Sequence, residues 1–118
     1  MKTNIFELGN KKITEVVSDE IIVRNPQDIL DIMASLSSDH IILHEHNFEK
    51  DFFDLKTGKL GEILLKFTNY NVKLAIIGDF GKYESKSLKA YIYESNLLRD
   101  YLFVNSIEEV KRIWSNVG

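Results

Sequence analysis

The chain has no cysteine and a single proline, Pro26. Without thiols there is no disulfide framework, no thiolate metal site and no cysteine nucleophile. Long apolar runs are missing too, and none approaches the ~20 residues a bilayer-spanning helix needs. Met1 to Asn4 is short and polar and no apolar stretch follows it. The sequence therefore predicts no signal peptide, no membrane partner and a cytoplasmic location. An excess of positive charge is also lacking. Fifteen basic residues stand against 18 acidic ones, a net charge of -3. That balance points away from a nucleic-acid partner, which requires a basic face to neutralise phosphates. There is no phosphate loop, no Gly-x-Ser-x-Gly elbow and no dinucleotide fingerprint. No cofactor is expected.

What remains is ordinary globular material. The chain has 118 residues, 44% of them hydrophobic and 28% charged. That suits one domain, 1-118, around one core. The six glycines are scattered, and no repeat or low-complexity tract appears.

Ile5 to Leu8 and Lys12 to Val17 read as short strands. Gly9-Asn10-Lys11 between them predicts an antiparallel hairpin, with Gly and Asn supplying positive φ. Ile21 to Val23 reads as a further extended piece, ending the second strand after a kink. Asn25 and Pro26 fit the N-cap and first position of a helix. Ile29, Ile32, Met33 and Leu36 then share one helical face. Ile41-Ile42-Leu43 fits a strand buried on both sides. Leu60, Ile63, Leu64 and Phe67 predict a second helix, capped by Thr57. Val72 to Ile77 is the strongest strand and is expected at the centre of the sheet. A third helix starts near Ser85, with Leu88, Tyr91 and Ile92 inward. Tyr101 to Val104 is the last strand. Ser106 and Glu109 form a capping box for a fourth helix with Val110, Ile113, Trp114 and Val117 on its apolar face. The fold class is thus α/β, in the order β-β-α-β-α-β-α-β-α. Strand–helix alternation implies a mostly parallel sheet with right-handed crossovers, to which the hairpin adds an antiparallel edge. The alternation leaves open whether helices cover one face or both.

This order resembles the STAS domain, the fold of anti-sigma-factor antagonists. In that family the loop leading into a helix after the middle strand carries a phosphorylatable serine or threonine. The matching stretch is Asp51 to Phe67 (DFFDLKTGKLGEILLKF), where Thr57 is the only hydroxyl residue near the family position and Lys59 is an insertion. The resemblance implies a regulatory module with Thr57 as phosphoacceptor. A closer similarity, carried by Asp51 to Phe67 and Val72 to Leu88 (VKLAIIGDFGKYESKSL), is to an uncharacterised bacterial domain-of-unknown-function family, number four-one-eight-zero. It covers nearly the whole chain and brings no activity with it.

In open α/β sheets ligands sit beyond the carboxyl ends of the parallel strands, here Leu43, Ile77 and Val104. Loops 44–57, 78–85 and 105–106 converge there. His44 and His46 point to one side of an extended chain. With Glu45 and Asp79 they make a ligand or metal cluster of imidazoles and carboxylates; the alternative is histidines bonded to backbone or solvated. Asp51, Asp54 and Asp79 offer paired carboxylates for acid–base work, against Asx turns and caps. The start of the second helix, at Thr57, Gly58 and Lys59, offers an anion site, against a plain N-cap. Gly58 and Gly61 leave a smooth face, for a ligand, another backbone or internal packing. Phe48, Phe52, Phe53, Phe80 and Tyr83 form either a partner interface or a seal over the sheet end. The leading expectation is a regulatory protein–protein interaction module with a protein partner, and a homodimer because small α/β modules often pair. The alternative is a small-ligand or metal-binding protein or enzyme using the His/Asp/Glu cluster at the carboxyl ends of the strands. Binding stands ahead of catalysis, and no catalytic residue is assigned.

Overall fold

A computed structural model describes residues 1–115; Val117 lies outside them. Strands β1 (Thr3–Leu8) and β2 (Lys11–Val16) form the antiparallel hairpin, turning at Gly9 with φ 61°. Gly9 alone carries the positive φ there. Then come α1 (Pro26–Leu36), β3 (His40–His44), α2 (Lys59–Asn69), β4 (Lys73–Ile77), α3 (Lys86–Leu98), β5 (Tyr101–Val104) and α4 (Ile107–Ser115). The strands lie in the order β1-β2-β3-β4-β5, and β2 through β5 run parallel. The expected α/β order is thus the observed one. The middle of the sheet is β3 rather than β4, because the hairpin adds two strands on one side.

Both faces are covered, unequally. Each parallel connection steps the same way along the sheet, so right-handed crossovers place α1, α2 and α3 on one face. Ile41, Leu43, Leu74, Ile76 and Phe103 point into that larger core. Their strand neighbours Ile42, Ala75 and Leu102 point to the other face, where Val110 and Trp114 of α4 cover them. This explains the unbroken apolar runs of β3 and β4.

The helix starts follow their caps. Asn25 Oδ1 accepts from the Asp28 N–H at 3.0 Å with Pro26 at the first position. Ser85 Oγ accepts from Leu88. Ser106 Oγ accepts from the Glu109 N–H, but the Glu109 carboxylate pairs with Arg112, so the reciprocal half of the expected box is replaced by a helix-surface ion pair. The cap of α2 is Gly58, in the left-handed region at φ 75°. Thr57, expected there, closes a 3₁₀ turn one residue earlier.

Ile21 to Val23 does not extend β2. It crosses to the far end of β3, where Val23 makes an isolated parallel bridge with Phe48. The free edge of β5 is closed by α3. Asn96 accepts from the Phe103 N–H at 2.8 Å and donates to the Phe103 carbonyl at 3.0 Å, while Ser95 donates to the Tyr101 carbonyl. One side-chain amide thereby takes the place of a neighbouring strand.

Candidate functional site

The parallel strands end at His44, Ile77 and Val104. After β3 the chain makes three 3₁₀ turns, Glu45–Asn47, Lys50–Phe53 and Leu55–Thr57, before α2. Asn47 fixes the first of them. It is fully buried; its Oδ1 accepts from the His44 N–H at 2.9 Å and its Nδ2 donates to the Ser18 and Glu20 carbonyls, each at 3.0 Å. Its own carbonyl accepts from Ile22 and Val23. One buried amide thus ties the 18–23 segment to the end of β3.

Glu45 joins the loop after β3 to the loop after β4. Its carboxylate accepts from the Asp79 N–H at 3.0 Å, from the Tyr83 hydroxyl and from Lys82 Nζ at 2.9 Å. Burial pushes its pKa up, but the bonds from Tyr83, Lys82 and the Asp79 N–H, with the Lys82 charge, outweigh burial and leave it below the ordinary carboxylate value. Tyr83 moves the other way. Burial first, then the bond to Glu45 and the charges of Glu45 and Asp79, hold its phenol far above the usual value, so it stays a donor. Glu45 fits because Gly78 has no side chain: a Cβ there would stand 2.5 Å from Glu45 Cβ and 2.6 Å from Oε1.

These loops enclose a half-open cleft of ≈ 430 Å³. Ile21, Phe48, Phe53 and Tyr83 make its apolar part, and Glu45, His46, Lys50 and Lys82 its polar part. The convergence expected of loops 44–57 and 78–85 is therefore present. The third loop contributes Asn105 to a shallower basin with Asp79 and Glu109.

The histidine–carboxylate cluster is dispersed onto protein partners. His44 and His46 do share a side, their rings stacked at 5.4 Å. His44 Nε2 bonds Glu15 at 2.8 Å, and His46 Nε2 donates to the Ser18 carbonyl at 2.7 Å. Asp79 reaches Glu45 through its backbone. Among the described residues, no three His, Cys, Asp or Glu side chains are grouped to hold a metal ion. Asp51 pairs with Lys59, and Asp54 accepts from the Lys56 N–H, a local cap of the kind loop aspartates make.

Thr57 is exposed. Its Oγ lies 2.9 Å from the Asp54 carbonyl and 3.1 Å from that of Asp51, either of which can accept its one proton, and it accepts from the Lys59 N–H at 3.2 Å. Beside it a groove of ≈ 210 Å³ brings in Arg24, Phe52 and Lys59. Of the aromatic group, Phe48, Phe52 and Phe53 are buried and pack edge-on, sealing the sheet end; Phe80 and Tyr83 stay partly exposed. Nothing lies within 4 Å of a Cβ placed on Gly61, so internal packing does not explain that glycine.

Asn47, Gly78, Ile21, Lys50 and Lys82 belong to this site and were not singled out by sequence reasoning. Only the apolar run before Asn25-Pro26 signalled one of them, Ile21; a lone Asn or Gly in a loop carries no pattern.

Among the described residues no helix is long and apolar enough to cross a membrane. No curated protein and no solved structure gave a match to the chain. A family model does match, that of the domain of unknown function DUF4180, over residues 8–113. That span takes in all five strands, wholly or in part, and both loops of the cleft, and the chain belongs to this family.

Proposed function

We propose that the chain is a regulatory protein–protein interaction module of STAS type, docking its partner at the carboxyl end of the sheet and switched at Thr57. The observation that carries this reading is the exposed residue Thr57 just before α2, lining a groove with Phe52, Arg24 and Lys59. The element order and the Asp51 to Phe67 stretch support it.

The switch follows from the bonds already present. The hydroxyl proton of Thr57 adds a bond to the Asp54 or Asp51 carbonyl beside the backbone bonds that close the 3₁₀ turn. Phosphorylation removes that proton and adds a charge of about -1.5 to -2 with three acceptor oxygens. The new charge stands at a helix N-terminus, where it is favoured. It competes with Asp51 for Lys59 and attracts Arg24, while Asp51 and Asp54 repel it. The 50–57 segment is thereby rearranged at the groove's rim.

The test is affinity purification of the tagged full chain from cells that make it, as wild type and as Thr57→Asp. The expected result is a stoichiometric protein with the wild type whose recovery drops with Thr57→Asp. Equal recovery with both, or no partner with either, would overturn the reading.

A further inference from the structure

The ≈ 430 Å³ cleft between the β3 and β4 loops has the size of a small-molecule site. Its floor is rigid. Phe48 and Phe53 are 2% and 4% exposed and pack edge-on against each other at 5.8 Å. Tyr83 is fixed by its bond to Glu45, and Ile21, 42% exposed, forms an apolar lip.

The charges around this floor are unequal. Glu45 is the one carboxylate in the lining, and its two oxygens are taken by Asp79, Tyr83 and Lys82. It attracts no further cation strongly. Lys82 gives Glu45 one of three ammonium protons and remains about half exposed. Lys50 is exposed and makes no ion pair among the described residues. His46 has committed Nε2–H to Ser18. Two ammoniums thus face an apolar floor with one already satisfied carboxylate, on a chain whose net charge is -3. A ligand complementary to this needs an apolar body and one negative end.

We propose that this cleft binds a small amphipathic carboxylate, its chain or ring against Phe48, Phe53, Tyr83 and Ile21 and its carboxylate toward Lys50 and Lys82. The proposal goes beyond the Thr57 switch and does not rest on it. It gives the module a small-molecule input on the same end of the sheet.

The test is an NMR titration of the full ¹⁵N-labelled chain with octanoate. Octan-1-ol (the same chain without charge), acetate (the charge without the chain) and octylamine (the opposite charge) are run beside it. Octanoate should give saturable shifts confined to the amides around Ile21, His46, Lys50 and Tyr83. It should bind more tightly than octanol and octylamine, and acetate should give no saturable shift. Lys50→Gln, at an exposed site, should weaken octanoate by about threefold, the scale of one solvent-exposed ion pair, and leave octanol unchanged. Shifts scattered over the chain, octanol or octylamine binding as well as octanoate, or an unchanged Lys50→Gln affinity would each overturn the proposal. Thr57→Asp should still bind octanoate, so this test fails or succeeds apart from the switch.

Discussion

Asn47 ties the 18–23 segment to the end of β3 as a fully buried amide with three bonds of its own. Asn47→Ala leaves the Ser18 and Glu20 carbonyls and the His44 N–H without that partner. The expected cost is about 3 kcal/mol, within the range for an unsatisfied buried network. Urea denaturation read by tryptophan fluorescence of Trp114 measures it, and a loss below 1 kcal/mol would contradict the role assigned here. Glu45 makes a second residue-scale prediction. Its folded pKa lies below the unfolded value near 4.5. Its contribution is therefore fully present above that value and is lost as pH falls through the lower folded pKa. Glu45→Gln should flatten the decline in stability below pH 4.5, seen as a smaller drop in Tm on acidification than the wild type shows. An unchanged slope would mean that Lys82 and Tyr83 do not stabilise the carboxylate. Glu45 was legible as a candidate ligand, though not as the joint between two loops, whereas Asn47 and Gly78 were not legible as special. Asn47 lies in a polar stretch that reads as loop, and Gly78 gains its meaning only from the Glu45 side chain that lands on it.

Elements were the most legible scale. Each strand was read within two residues of its observed bounds because its apolar runs are short and bracketed by turn residues. Each helix start carries a cap that the sequence displays, except α2. There the eye falls on Thr57, a good capping side chain, but the left-handed turn at Gly58 shifts the start by one residue. The 21–23 segment was misplaced because an extended apolar triplet reads the same whether it continues a strand or bridges to another loop. Gly61 gives the element-scale prediction. It is exposed, helical and open around its Cβ position. Gly61→Ala should therefore stabilise the chain by up to about 1 kcal/mol, the helix-interior propensity difference between the two residues, reduced by its place in the first turn of α2. Thermal unfolding followed by circular dichroism measures this. A destabilised variant would show that the open space around Gly61 is used by the fold.

At the scale of the whole molecule, strand–helix alternation foretold the parallel sheet, and the uniform direction of the crossovers dictated three helices on one face. The sequence could not show that α4 returns to cover the other, since an amphipathic helix at the end of a chain carries no sign of which sheet face it meets. Likewise the convergence of loops at the carboxyl end followed from topology, while the cleft between them depends on contacts between residues more than 30 positions apart, such as Glu45 with Tyr83. The central claim is that this end of the sheet docks a protein partner under the control of Thr57. The most direct measurement is a calorimetric titration of the recovered partner against wild type, Thr57→Ala and Thr57→Asp. The account predicts that Thr57→Asp weakens binding by about tenfold or more, as a charge placed in an interface does, and that Thr57→Ala lies between it and the wild type. Three affinities that agree within error would contradict it.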